Sequence, residues 1–387
     1  MSQLNLKTYP PNFTYLDNAS TTKVDDRVLK EMLPYFTEYF GNASSNHSFG
    51  KKAKDAIDKS RIQVANLINA SPNEIIFTSG ATESINLAIK GYIEANTNKG
   101  NHIITVKTEH KAVLATCEYL ETKGTEVTYL NVDQNGLISI QELQDAIKEN
   151  TILISVMYVN NETGVIQPIQ EIGEIARKHK ITFFSDATQA AGKVEIDVEN
   201  DNIDMLCLSA HKLNGPKGVG ILFTRKGIVL TPQMHGGSQE SGVRGGTYNT
   251  PLIIGLGKAC EIAEIEMEGN NFKIKELNNY TRKSIKEIIS FKEMSEDIFR
   301  VNNIINLIIT GLDSDILITK YKLLALSNGS ACNAEVMQES HVIKAMLSRE
   351  NDQNNYIRIS LDKNSSKKNI DFLLETLINY LKPNNAK

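Results

Sequence analysis

The sequence predicts an α/β fold, with a mostly parallel sheet packed between helices and a smaller α+β domain after it. Three observations point there. From Ile75 to Thr224, short apolar runs alternate with segments of helical period, the pattern of a parallel sheet covered on both faces. Polar side chains collect just past the C-terminal ends of those runs, the edge at which open α/β sheets bind ligands. From about Glu261 the alternation gives way to long amphipathic stretches and short strands. With 387 residues the chain exceeds the roughly 250 to 300 at which a single core stops growing. Two domains are expected, a large one over 16–262 and a small one from 1–15 and 263–387.

The totals exclude several classes. The 42 basic and 46 acidic residues give a net charge of -4 and are scattered, so neither nucleic acid nor a membrane is an expected partner. The opening MSQLNLKTYPPNF has no basic segment leading into an apolar one, and no apolar run approaches the ~20 residues that span a bilayer. A cytoplasmic location is expected. Cys117, Cys207, Cys260 and Cys332 are widely spaced with no CxxC pair, so neither a disulfide framework nor a metal site is predicted. The P-loop, HExxH, GxSxG and GxGxxG signatures are missing.

Taken in order, TYLDNASTT after Pro10-Pro11 reads as a short extended piece, and 26–40 as a helix. FGNASSNHSFG is a loop by composition, and 51–69 carries apolar residues at helical spacing. SPNEIIFTSGATESINLAIKGY gives a strand over Ile75–Thr78, a tight turn at Ser79-Gly80 and a helix from Ala81. That arrangement leaves backbone N–H groups and hydroxyls at a helix N-terminus, which suits an anion. Ser79 and Thr82 are the hydroxyl candidates, and an ordinary capped helix is the competing reading. Strands in HIITVKTEH, TEVTYLNVD, ILISVMYVNNETG and ITFFSDATQAAG follow, separated by helices over 111–123, 140–148 and 169–178. His110, Asn160-Asn161, Asp186 and Gln189 stand where strands end. Each alone could be a satisfied loop residue; together they suit one polar ligand.

The stretch IDMLCLSAHKLNGPKGVGILFT places Lys212 at a turn between two apolar strands. An amine becomes a nucleophile for carbonyl carbon when partial burial and cationic neighbours lower its pKa, and His211 and Lys217 are close in sequence. A solvated loop lysine is the ordinary alternative. Cys207 and Cys260 lie in apolar patterns and read as small core residues. Cys332, in NGSACNAE, lies among turn formers, where a reactive thiol and an incidental surface residue are both open readings.

YLDNASTT, FGNASSNHSFG, FTSGATESINLAIKG, TEHKAV, VNNETGV, DATQ, SAHKLNGPKGVG, MHGG and SNGSAC occur in that order between about residues 15 and 361. Together they resemble the pyridoxal-phosphate-dependent cysteine desulfurases of the class V aminotransferase superfamily, in the subgroup with the longer cysteine loop. The resemblance implies the type I PLP-dependent transferase fold, whose large domain has a mostly parallel seven-stranded sheet. It also implies conversion of L-cysteine to L-alanine, with sulfur passing to Cys332 as a persulfide. An acceptor protein would then take the sulfur, for iron–sulfur cluster assembly or for nucleic-acid or cofactor thiolation.

The same resemblance assigns roles. Lys212 would hold the cofactor covalently and later move protons at the substrate carbons. Asp186 would pair with the pyridine nitrogen, and His110 would stack on the ring and assist proton transfer. Gln189 would reach the phenolic oxygen, with Asn161 near the substrate. Ala81, Thr82, Ser209 and His211 would hold the phosphate, and Thr247 would reach the phosphate of the other subunit in a homodimer. Arg358, in YIRISL, would clamp the substrate carboxylate through its planar fork.

The chemistry agrees with that assignment. C–S cleavage needs charge on carbon delocalised, which side chains cannot do and a protonated pyridine ring can. Sulfur then needs a second nucleophile, for which a thiolate is suited. Departures from the usual pattern stand at Ala43, Ser185, Ser241, Asp362 and Lys363, and none removes a proposed catalytic group. Two alternatives stay open: another class V enzyme, an aminotransferase or a selenocysteine or cysteine lyase in which Cys332 is incidental, and a non-catalytic binding subunit.

Overall fold

The computed structural model describes residues 13–294, 299–328, 340–347 and 355–381. The chain enters through β1 (Thr14–Tyr15) and then lays down β2 (Ile75–Thr78), β3 (His102–Val106), β4 (Glu126–Leu130), β5 (Thr151–Ser155), β6 (Thr182–Asp186), β7 (Met205–Ser209) and β8 (Gly220–Thr224). These seven form one sheet in the order β2-β8-β7-β6-β5-β3-β4. Strand β8 runs antiparallel to both its neighbours, and the remaining pairs are parallel. The expected mostly parallel, seven-stranded sheet is therefore present. After β4 the chain crosses to the far side of β3 to build β5, and such a reversal opens a crevice at the strands' carboxyl ends.

Adjacent residues of the central strands go to opposite faces, as the two-residue period of a strand requires. Ile104, Ile154, Phe183 and Leu206 pack in the core on one face. Their neighbours Ile103, Leu153, Phe184 and Cys207 pack in the core on the other. Because both faces are covered, these strands read as continuous apolar runs rather than alternating ones. Cys117, Cys207 and Cys260 are buried free thiols, in keeping with the core role expected for Cys207 and Cys260.

A third core lies away from the main sheet. There β10 (Ile304–Ile308) pairs antiparallel with β9 (Lys292–Glu293) and β12 (Tyr356–Ser360), while β1 pairs with β11 (Leu324–Ala325). Leu16, Ile305, Leu307, Ile357 and Ile359 pack there with the C-terminal helix Lys367–Leu381.

Several element boundaries differ from expectation for identifiable reasons. The helix expected over 26–40 is two pieces, Asp26–Met32 and Pro34–Thr37, because Pro34 has no N–H to continue the ladder. The second helix is Ser48–Leu67 rather than 51–69, capped by His47 Nδ1 accepting from the Gly50 N–H. The two amphipathic stretches after Glu261 belong to one 39-residue helix, Thr250–Ile288. Its first turns hold Gly255 and Gly257, which disfavour a helix in isolation. Packing explains both: a Cβ on Gly255 would lie 2.5 Å from Met32 Sδ, and one on Gly257 2.6 Å from the Ser60 Cα.

Candidate active site

A cavity of about 550 Å³ opens at the carboxyl ends of β2, β3, β5, β6 and β7. Ala81, Thr82, His110, Asn161 and Asp186 line it. So do Gln189, Ser209, His211, Lys212 and Arg358. Ten sequence-predicted positions thus converge on one space. Thr247 is exposed and does not line this cavity. Cys332 lies outside the described residues. No group of three or more His, Cys, Asp or Glu suited to a metal occurs among the described residues.

The wall made by β2 is a strand-turn-helix. Gly80 takes φ +149°, which favours glycine, and the helix Ala81–Ala95 starts without a side-chain cap. Gly220 on β8 has no room for a side chain, since its Cβ would meet Leu208 O at 2.5 Å and the Gly80 Cα at 2.8 Å. That close approach sets the helix N-terminus over Ser209 and beside His211. The N-terminal dipole, the Thr82 and Ser209 hydroxyls and an imidazole together make a cradle for an anion. Burial, aided by Lys212 and Lys217, pushes His211 down to about 4. The imidazole is therefore neutral near pH 7 and supplies no positive charge to Lys212. This corrects the expectation that His211 acts as a cationic neighbour.

The floor comes from β3, β5 and β6. His110 caps the helix Lys111–Glu121 by accepting the Ala112 N–H at Nδ1, 3.1 Å away. The neutral ring then carries its proton on Nε2. Burial lowers its pKa against the opposing charge of Asp186. Asp186 is buried, and its Oδ1 accepts from the Thr188 N–H at 2.9 Å. Beneath it, Glu109 is fully enclosed; its Oε1 accepts from the Met157 N–H at 2.7 Å, and burial raises its pKa well above the usual carboxylate range. Burial thus favours the neutral form of the Glu109 carboxyl, against the Met157 N–H that it accepts. Asn160 is a brace: its Nδ2 donates to Thr108 O, and its Oδ1 accepts from the Glu162 and Thr163 N–H groups.

Lys212 sits in a single 3₁₀ turn after β7, as a turn between strands predicts. Its Nζ donates to the carbonyls of Ala19 at 2.6 Å and Ser20 at 2.7 Å. Gln189 Nε2 donates to the same Ala19 carbonyl at 2.8 Å. The LDNAS segment therefore anchors both side chains from more than 160 residues away in sequence.

The rim is built differently. Arg358, on β12 of the other sheet, donates to Asn161 O at 2.9 Å, Asp17 Oδ1 at 2.9 Å and Ser20 Oγ at 2.7 Å. Ser340 Oγ donates to Glu162 Oε2 at 2.5 Å, and His341 Nε2 lies 2.9 Å from Glu109 O. Burial raises Glu162 to about 7, against the lowering effects of Ser340 and Arg358. Sequence reasoning passed over Asp17, Glu109, Glu162 and the Ser340-His341 pair. Glu109 and Glu162 adjoin positions already singled out, His110 and Asn161, and that adjacency was the available signal.

In sum, the cavity offers a primary amine, a carboxylate, a neutral imidazole N–H, an anion cradle and a guanidinium. Comparisons with known proteins fit this set. Residues 14–373 match the family model described as aminotransferase class-V. The chain is 45% identical over 372 residues to the protein named cysteine desulfurase IscS of Ehrlichia chaffeensis, covering 95% of this chain and 91% of that protein. A solved NifS-like protein superposes with a TM-score of 0.90 at 35% identity, over 95% of this chain and 99% of the other. A structure described as SspA in complex with cysteine superposes with a TM-score of 0.82 at 41% identity, over 91% of this chain and all (100%) of the other. The chain belongs to the class-V aminotransferase family and, within it, to the cysteine desulfurases.

Proposed function

We propose that this protein converts L-cysteine to L-alanine in the cavity just described, with pyridoxal 5'-phosphate as cofactor and Cys332 as the sulfur carrier. The observation that carries the reading is the convergence of Lys212, Asp186, His110 and the Ala81–Ala95 N-terminus on one cavity whose rim holds Arg358. The residues suit the cofactor. Close approach of Gly220 to Gly80, which a Cβ on Gly220 would block, brings a helix N-terminus suited to a phosphate beside the Ser209 hydroxyl. A buried carboxylate, Asp186, suits a protonated ring nitrogen. When bound, pyridoxal phosphate supplies a ring that takes up charge developed at the substrate carbons.

The chain's own residues do the rest. Ala81, Thr82, Ser209 and His211 hold the phosphate, and Gln189 orients the ring through its phenolic oxygen. Arg358 takes the substrate carboxylate, with Asn161 beside it. Asp17 and the Asn161 carbonyl keep the guanidinium aimed, since each accepts from a different Nη. The Lys212 amine holds the cofactor and moves protons at the substrate carbons, and His110 donates from Nε2. The Cys332 thiolate attacks the substrate sulfur: a C–S bond breaks, an S–S bond forms, and the freed carbon gains a proton to give alanine. The product persulfide passes to a sulfur-acceptor protein.

Several further readings go with this one. The chain acts as a homodimer in which Thr247 reaches the partner's phosphate site; its exposure here supports that reading. The division into 16–262 and 1–15 with 263–387 is supported by the long helix, whose Ile262 packs in the large core and Ile274 in the small one. Among the described residues no helix is long and apolar enough to cross a membrane; a cytoplasmic location is our reading.

The test is quantitation of alanine and protein-bound sulfur after adding L-cysteine to the pyridoxal-phosphate-loaded protein. Equal amounts are expected from the unmodified chain. Cys332→Ala should keep the cysteine-dependent absorbance change and lose persulfide and sulfide formation. Undiminished sulfide release from Cys332→Ala would instead indicate a lyase in which that thiol is incidental.

A further inference from the structure

We propose that Lys193 is a positioning residue for Gln189 and Lys212, an inference that rests on the reading of the cavity given above. Lys193 follows β6 through a run of turns in which the Ala190 and Ala191 N–H groups donate to Ala187 O and the Lys193 N–H to Ala190 O. Gly192, at φ +71°, ends that course in a left-handed turn. The Lys193 side chain returns onto residue 189. Its Nζ lies 3.1 Å from Gln189 O, 3.3 Å from Gln189 Oε1 and 3.3 Å from Lys212 O. An ammonium has three N–H donors and no acceptor, and three oxygens meet them here.

The consequence is a closed network. The Gln189 carboxamide is held at Oε1 by Lys193 and at Nε2 by the Ala19 carbonyl, which also accepts from Lys212 Nζ. Lys193 touches the backbone of the reactive lysine directly through Lys212 O. Freedom lost at one member of such a network is lost at the others.

Lys193 itself stays outside the active-site cavity. It lines a separate, narrow cavity of about 60 Å³ behind Lys212, together with Asp25, Asp362 and Lys363. Lys363 pairs with Asp25 at 2.5 Å, and among the described residues no carboxylate pairs with Lys193. Burial and repulsion from Lys212 push its pKa down to about 7, with Asp362 opposing. The backbone is clamped from the long helix: Asn271 Nδ2 donates to Lys193 O at 2.7 Å, and a Cβ on Gly192 (φ +71°) would lie 3.0 Å from the Ala263 Cβ. A part-buried cation that no carboxylate pairs among the described residues is costly to a fold, and the charge of Asp362 offsets only part of that cost. An apolar chain of similar volume would avoid that cost, so the position is explained by the three oxygens it organises.

The experiment compares Lys193→Met, which keeps the volume and removes the donors, with Lys193→Arg, which keeps charge and donors. In the cofactor-free protein, the side-chain amide NMR signal of Gln189 should move and lose exchange protection in Lys193→Met and recover in Lys193→Arg. In the pyridoxal-phosphate-loaded protein, Lys193→Met should lower kcat for alanine formation about 10- to 100-fold, the size seen when a supporting partner behind a reactive group is removed. KM for cysteine should change less than about threefold, and the pH midpoint of the cofactor band should rise by about one unit as a neighbouring cation is removed. An unchanged Gln189 signal with unchanged kcat and midpoint, whatever the melting temperature, would overturn the inference. Should the unmodified protein take up no pyridoxal phosphate, the cavity reading fails instead, and the NMR comparison still decides the role of Lys193.

Discussion

The floor and the rim of the cavity are built by opposite strategies. Floor residues come from strand ends of one sheet: His110 after β3, Asp186 at the end of β6 with Gln189 beyond it, and Lys212 after β7. His110 and Asp186 are placed by partners close in sequence, the Ala112 and Thr188 N–H groups, while Gln189 and Lys212 stand at local turns whose side chains the Ala19 carbonyl then holds. Rim residues come from distant chain. Arg358 is held by Asp17 and Ser20, more than 330 residues away, and Ser340 meets Glu162 across 178 positions. On the function proposed above, the difference teaches that the reactive groups would be positioned by the rigid sheet, while substrate recognition would depend on packing of the small core against the large one. Losses at the floor should therefore appear in chemistry, and losses at the rim in binding and in pH-dependent stability.

The largest expected effect lies at the floor. Lys212→Ala should lower alanine formation by on the order of 10⁴ or more, measured as alanine released per cofactor-loaded protein. A loss of less than about tenfold would remove Lys212 from the chemistry and undo the contrast.

At the rim, Glu162 offers a test through stability. Its folded pKa, about 7, lies above the usual 4.5. The protonated folded form is therefore favoured: this contribution is fully present below pH 4.5 and is lost as pH rises through about 7. Glu162→Gln should remove the dependence, flattening urea stability between pH 4.5 and 7 by as much as ~3 kcal/mol. A wild-type curve already flat over that window would mean the carboxyl is solvated.

Arg358→Lys loses the planar fork. It should raise KM for cysteine roughly 10- to 100-fold, from the loss of charge-assisted hydrogen bonds worth about 1.5–3 kcal/mol. An unchanged kcat would sharpen the contrast with Lys212, and equal losses in kcat and kcat/KM would blur it.

The smallest effect expected is at His211. Its folded pKa, about 4, is depressed from 6.5, so the stability it contributes is present above pH 6.5 and lost as pH falls through about 4. His211→Asn should lessen acid sensitivity by on the order of 1 kcal/mol, after allowance for solvent screening of a half-buried ring. Inorganic phosphate in the cradle should raise the His211 pKa, readable by NMR; no movement would place the anion elsewhere.

Much of this was legible because strand-end chemistry is local. Apolar runs ending in His110, Asp186 and Lys212 give both the sheet and the edge where a ligand binds, and strands buried on both faces have no alternation to obscure them. The amphipathic pattern starts at about Glu261, whereas the helix starts at Thr250; Gly255 and Gly257 have a weak helical preference that contact with Met32 and Ser60 overrides. Closeness in sequence alone suggests His211 and Lys217 as cations near Lys212. In the folded chain burial keeps the imidazole uncharged, and Lys193, 19 positions away, reaches the Lys212 backbone.

The sequence by itself determined the α/β class, the order of strands and helices, and the reactive groups at the strand ends, because each depends on residues within a few positions. Only the tertiary structure decided which of those groups are charged, which backbone carbonyls hold Lys212 and Gln189, and that Asp17 aims Arg358. Protonation depends on burial and hydrogen-bond networks on which segments meet, and both are set by packing between parts of the chain that no local pattern links.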